Sequence, residues 1–69
     1  KDGRMKNNLK VQRAMKNLTQ DNLAKLIGVS RQTINAMESS KYVPSTVLAL
    51  KLAKVFEVKV EDIFELEDE

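Results

Sequence analysis

Between Asn8 and Leu66 the apolar positions recur mostly at three- and four-residue intervals, the period of helices with one buried side. Val11, Ala14, Met15 and Leu18 fall at i, i+3, i+4 and i+7, behind Asn8, whose side chain can cap a first turn. A first helix with those four residues buried is expected, leaving Lys10, Arg13 and Lys16 mostly outside the stripe. Thr19 is the next capping residue, and Leu23, Ala24, Leu26 and Ile27 form the apolar face of a short second helix. Gly28 should end that helix in a left-handed conformation. Ser30 caps a third helix from Arg31 to about Ser39, whose only large apolar residues are Ile34 and Met37, so most of its circumference is polar. Pro44 and Ser45 introduce a fourth helix, from Thr46 to about Phe56, with Leu48, Leu52 and Val55 on one stripe and Val47 and Leu50 on another. Two stripes imply two burial partners. A last turn runs from Val60 to Phe64, and Lys59 before it is a poor cap. With two Gly, one Pro, no repeat and no linker, the pattern describes one all-α domain over residues 5–66.

Composition narrows what such a domain can do. A chain of 69 residues buries only about 60% of the surface its unfolded state exposes, so a partner chain would add needed burial. Cysteine and histidine are both absent, which removes disulfides, thiolate ligands, a thiol nucleophile and the commonest general base. No Gly-rich loop or paired-acid motif compensates, and Glu61 with Asp62 is charge at a helix start. An enzyme is therefore the remotest class, and neither a metal, a cofactor nor a small-molecule ligand is indicated. There is no run of about 18 apolar residues, and Lys1-Asp2-Gly3-Arg4 lacks the apolar stretch of a secretory signal. A cytoplasmic protein without a membrane partner is expected. Residues 1–4 read as an expression remnant or flexible N-terminus before Met5, and 67–69 as an acidic tail.

The net charge of +2 conceals a division. Residues 1–55 hold eleven Lys and Arg against Asp2, Asp21 and Glu38, whereas residues 56–69 hold Lys59 against seven carboxylates. A phosphate-facing body with a distant acidic end fits this division, and so does an ordinary solvated surface. The acidic end could repel DNA, recruit a basic partner, or only solubilise the terminus.

Thr19 to Ser39 form a unit: a helix, a turn around Gly28, and a second helix whose positions Arg31, Gln32, Asn35 and Ala36 carry no bulky apolar group. A short Gly-containing turn of this kind sets two helices at a steep angle, the helix-turn-helix arrangement. A protruding helix fits the major groove, with its N-terminal residues nearest the base edges. Arg donates two bonds to guanine, Gln and Asn pair with adenine, and a small apolar group meets the thymine methyl. Arg31, Gln32 and Asn35 are therefore candidates for reading sequence, with Ala36 beside them; the alternative is a solvated helix face.

The run from Thr19 to Glu38, TQDNLAKLIGVSRQTINAME, followed by Lys-Tyr-Val-Pro-Ser-Thr, Leu-Ala-Lys-Val-Phe and Val-Glu-Asp-Ile-Phe, resembles the phage repressor/Cro (XRE-like) class of helix-turn-helix regulators, in particular its short single-domain repressors. The likeness spans roughly residues 8–66. It implies a five-helix domain, a homodimer, and an operator of two inverted half-sites. By the same resemblance Gln20 braces the recognition helix and touches phosphate, Ser30 caps it beside the DNA backbone, and Thr33 joins the DNA-facing run. Lys41 and Tyr42 match positions that meet phosphates, and Arg13 and Glu38 a partly buried ion pair, the alternative for Arg13 being an ordinary surface charge. The class favours Gly or Asn where a helix ends left-handed. Asn17 suits one such slot, but Ser40 and Glu57 occupy two others, at roughly 1 kcal/mol each.

One recognition helix spans too few base pairs for specificity in a genome, and paired half-sites about 34 Å apart answer this. The dimer interface is expected on Val47 and Leu50 together with Ile63, Phe64 and Leu66, with closure of the protomer's own core the competing role for Ile63 and Phe64. Segments around Met5 and Glu65–Glu67 could pair as short strands, as the similar short repressors do. Two other functions stay open: an antitoxin with the same DNA-binding fold, and a helical protein-interaction module without DNA binding.

Overall fold

The computed structural model describes residues 5–67, so the expected remnant at 1–4 and the end of the acidic tail, Asp68 and Glu69, lie outside the described residues. Four α-helices follow one another: α1 (Leu9–Met15), α2 (Gln20–Ile27), α3 (Arg31–Glu38) and α4 (Thr46–Phe56). Strand β1 (Met5–Asn7) pairs antiparallel with β2 (Phe64–Leu66), in the register Met5↔Leu66, Lys6↔Glu65 and Asn7↔Phe64. The expected terminal strand pair is present. The expected fifth helix is a 3-10 turn over Val60–Asp62, because β2 begins at Phe64 and leaves no room for a full α-turn. The Lys59 side chain does not cap it, and the Asp62 carboxylate instead accepts the Lys59 backbone N–H at 3.0 Å. No helix among the described residues is long and apolar enough to cross a membrane.

Local capping sets the boundaries of the later helices. The Thr19 hydroxyl accepts the Asn22 N–H at 3.0 Å while the Asn22 side chain accepts the Thr19 N–H at 3.2 Å, a reciprocal box that starts α2. Gly28 ends that helix at φ 77°. A Cβ there would meet nothing within 4 Å, so the glycine serves the backbone angle and not a close approach. The Ser30 and Ser45 hydroxyls accept the N–H groups of Thr33 and Leu48, each at 3.2 Å, and start α3 and α4.

The first helix departs from its sequence pattern. Asn8 makes no capping bond with its side chain; the Asn7 carboxamide oxygen accepts the Leu9 N–H at 3.1 Å in its place. Its buried residues are Leu9 and Gln12, whereas Val11 and Met15 are 56% and 70% exposed and Ala14 is exposed too. The helical period holds but the buried side is rotated from the apolar stripe, because α1 turns a polar side inward to place Arg13 against Glu38 of α3. Leu18 is half-buried and lies beyond the helix. In α2 the buried stripe is Leu23, Ala24 and Ile27; Leu26 sits at its edge, exposed.

The core gathers Leu9, Leu23, Ile27, Ile34, Met37 and Leu52, all fully buried, with Ala24, Ala53, Phe56, Ile63 and Phe64 around them. Each such large side chain contributes about 1.5–3 kcal/mol on burial. Ile63 and Phe64 thus take the competing role, in the protomer's own core: the turn after α4 folds them back, with the Ile63 carbonyl accepting the Asn8 N–H at 3.0 Å. On α4 the stripe of Leu48, Leu52 and Val55 faces inward with Ala53 and Phe56, while Val47 and Leu50 are 61% and 57% exposed.

Asn17, Ser40 and Glu57 all adopt left-handed angles, at φ 55°, 61° and 59°. Glu57→Gly should therefore raise stability by roughly 0.5–1 kcal/mol in chemical denaturation. The Lys16–Glu57 ion pair it removes, 3.4 Å long, is exposed and contributes little. Asn17→Gly should gain less, since Asn tolerates this region. Equal or unfavourable effects at both positions would contradict the assigned strain.

Candidate nucleic-acid interface

Ile34 and Met37 pin one side of α3 into the core and leave Arg31, Gln32 and Asn35 exposed, with Thr33 and Ala36 half-buried between. Because α3 has only these two large apolar residues, its orientation follows from them. The Ser30 and Thr33 hydroxyls lie 3.0 Å apart at its exposed N-terminal end. Gln20, Arg31, Gln32 and Asn35 line one shallow hollow. Gln20 and Arg31 also border a wider, open one with Arg13, Asn17, Thr19 and Asp21. Lys41 and Tyr42 are exposed at the opposite end of α3, beyond the left-handed Ser40, where the Lys41 N–H closes the helix on the Ala36 carbonyl at 2.8 Å.

Beneath this surface runs a chain of hydrogen bonds. Arg13 Nε donates to Glu38 Oε2 at 2.7 Å, its Nη2 to Oε1 at 3.2 Å, and its Nη1 to the Leu18 carbonyl at 3.0 Å. Gln20 Nε2 donates to Glu38 Oε1 at 2.9 Å, and Arg31 Nε reaches Gln20 Oε1 at 3.4 Å. The expected ion pair is thus bidentate and mostly buried, and Gln20 links it to the exposed Arg31. Burial pushes the Glu38 carboxyl up, but the hydrogen bonds from Arg13 and Gln20 and the charges of Arg13 and Lys10 outweigh it and hold the group below its ordinary value.

Of the residues picked from sequence, Gln20, Arg31, Gln32 and Asn35 come together, Ser30 and Thr33 sit at the same end of α3, and Lys41 and Tyr42 stand apart at the other. Among the interface candidates, Val47, Leu50 and Leu66 are exposed. Sequence reading missed Asn7, whose carboxamide nitrogen donates to the Met37 carbonyl at 2.8 Å across thirty positions of chain. No local pattern signals such a contact. A helix end presenting Arg, Gln and Asn to solvent can offer paired hydrogen bonds to planar base edges.

Residues 9–63 match the family described as helix-turn-helix. The chain is 63% identical over 65 residues to an uncharacterised HTH-type transcriptional regulator of Methanocaldococcus jannaschii, covering 94% of this chain and 98% of that protein. It is 49% identical to a second such regulator, from Bacillus subtilis, with the same coverage. Among solved structures it resembles a Bacteroides fragilis protein described as DNA-binding, with a TM-score of 0.79, 33% identity and 88% and 98% of the two chains covered. The restriction-modification controller protein of Aeromonas hydrophila superposes with a TM-score of 0.71 at 31% identity, over 78% and 82% of the chains.

Proposed function

From the premise that this chain belongs to the helix-turn-helix family and is a DNA-binding transcriptional regulator, we propose that it is a repressor that binds an inverted-repeat operator as a homodimer. The observation that carries this is α3 itself, pinned by Ile34 and Met37 with Arg31, Gln32 and Asn35 turned to solvent. In the major groove these three read base edges, with Ala36 against a thymine methyl. Gln20, Ser30 and Thr33 at one end of α3, and Lys41 and Tyr42 at the other, meet phosphates and fix the register. Val47, Leu50 and Leu66 offer exposed apolar surface to a second copy, which doubles the number of base pairs read. A dimer seated over a promoter excludes polymerase, in the cytoplasm where chromosomal DNA is accessible.

Selection from a random-sequence duplex pool tests this. The enriched duplexes should carry two inverted half-sites with centres about one helical turn apart, occupied by two protomers. Enrichment of single, unpaired half-sites would contradict the dimeric part of the proposal, and no enrichment would contradict sequence-specific binding.

A further inference from the structure

A carboxamide offers one acceptor oxygen and two N–H donors, and Asn7 uses them on two different elements. Its oxygen accepts the Leu9 N–H at 3.1 Å and caps α1. Its nitrogen donates to the Met37 carbonyl at 2.8 Å and reaches the Ser40 hydroxyl at 3.4 Å. Its backbone is fixed as well, because Asn7 is the last residue of β1 and pairs with the buried Phe64 of β2.

The far end of this contact matters for what α3 presents. Three carbonyls in the second half of α3 are taken by the chain that follows: Asn35 by the Ser39 N–H at 3.0 Å, Ala36 by the Lys41 N–H at 2.8 Å, and Met37 by the Ser40 N–H at 3.0 Å. Among the described residues, Asn7 is the one side chain from another element that joins them. It does so at Met37 and Ser40, where the backbone turns left-handed at a non-glycine residue, a conformation disfavoured unless its surroundings enforce it. That turn aims Lys41 and Tyr42. The N-terminal end of α3 is held by the Ser30 cap and by the Arg31–Gln20 contact, and its last side chain, Glu38, by Arg13 and Gln20; the Met37 carbonyl and the turn at Ser40 are held by Asn7.

We propose that Asn7 is a positioning residue for DNA binding, tethering the end of the recognition helix and the Lys41–Tyr42 turn to the terminal strand pair. This rests on the reading of α3 and Lys41 as the DNA face. Binding sites need their groups fixed to within about 0.5 Å, and a tether to the β1–β2 pair supplies that where α3 leads into the Lys41–Tyr42 turn.

Two substitutions separate the tether from the cap. Asn7→Ala removes both functions; Asn7→Asp keeps an oxygen for the Leu9 N–H and removes both donors. Two quantities are measured at a temperature where each variant is fully folded: amide exchange at Ser40 and Lys41 in the free protein, and affinity for a duplex enriched by the wild type. For both variants, exchange at Ser40 and Lys41 should quicken beyond the change in global stability. Affinity should fall about three- to tenfold, the worth of one hydrogen bond. A role confined to folding would alter the denaturation midpoint and leave both readouts of the folded protein at wild-type values, which would overturn the proposal. Faster exchange with unchanged affinity would also overturn it. A wild type that enriches no duplex removes the DNA role together with the reading it rests on, and the exchange measurement tells that failure from failure of the tether.

Discussion

Replacing Glu38 by alanine is expected to lower stability by about 2–4 kcal/mol, the largest loss for any single polar side chain in the domain. The Glu38 side chain is 8% exposed, and its removal strands three donors at once: Nε and Nη2 of Arg13 and Nε2 of Gln20. A domain of this size is stable by only about 3–10 kcal/mol, so the melting temperature should drop by on the order of 10–20 °C. Glu38→Gln retains an oxygen and should cost less. Arg13→Met combined with Glu38→Leu should recover part of the loss, since a buried pair is costlier to break than to replace. The carboxyl's folded pKa lies below its ordinary value. The ion pair's contribution is therefore fully present above the ordinary carboxylate range and is lost as pH falls through the lowered value. Wild-type stability should decline on that acid limb, and Glu38→Gln should flatten it. A loss below about 0.5 kcal/mol on Glu38→Ala, the range of an ordinary surface substitution, would mean that Arg13 swings into solvent at no cost.

The second large effect concerns assembly. Val47 and Leu50 are exposed in the protomer, so Val47→Glu with Leu50→Glu should leave its helical content and core intact. The same pair of charges should abolish the proposed dimer in sedimentation and weaken binding to a two-half-site duplex by about 10²–10⁴-fold, the advantage that linking two sites provides. Affinity for a single half-site should change little. Substitutions at Ile63 or Phe64, which fill the protomer core, should unfold the chain instead of dissociating it. A double variant that still sediments as a dimer would place the interface elsewhere on the surface.

Most boundaries of this fold are visible in the sequence because they rest on bonds between near neighbours. The Thr19, Ser30 and Ser45 caps and the left-handed Gly28 each involve residues a few positions apart. The face of α3 is legible for a related reason: Ile34 and Met37 are its only large apolar residues, so the outward side follows by subtraction. In α1 the same logic fails. A helix that packs through Leu9 alone and through Arg13 against a carboxylate twenty-five positions away carries little apolar signature on its inner side, and Val11 and Met15 draw the stripe to the wrong face. Ile63 and Phe64 were ambiguous because apolar residues near a chain end suit a core and an interface equally. Asn7 was invisible, since only the tertiary arrangement brings it to Met37.

The central claim, that the exposed face of α3 reads DNA, is tested most directly by fluorescence anisotropy with a duplex enriched by the wild type. Wild type, Arg31→Ala and Asn35→Ala are compared at two salt concentrations. Wild-type affinity should fall steeply with salt, as phosphate neutralisation requires. Each variant should lose about 1–3 kcal/mol of discrimination between that duplex and a scrambled one. Binding that salt hardly changes, and that both substitutions leave untouched, would show that α3 is not the reading element.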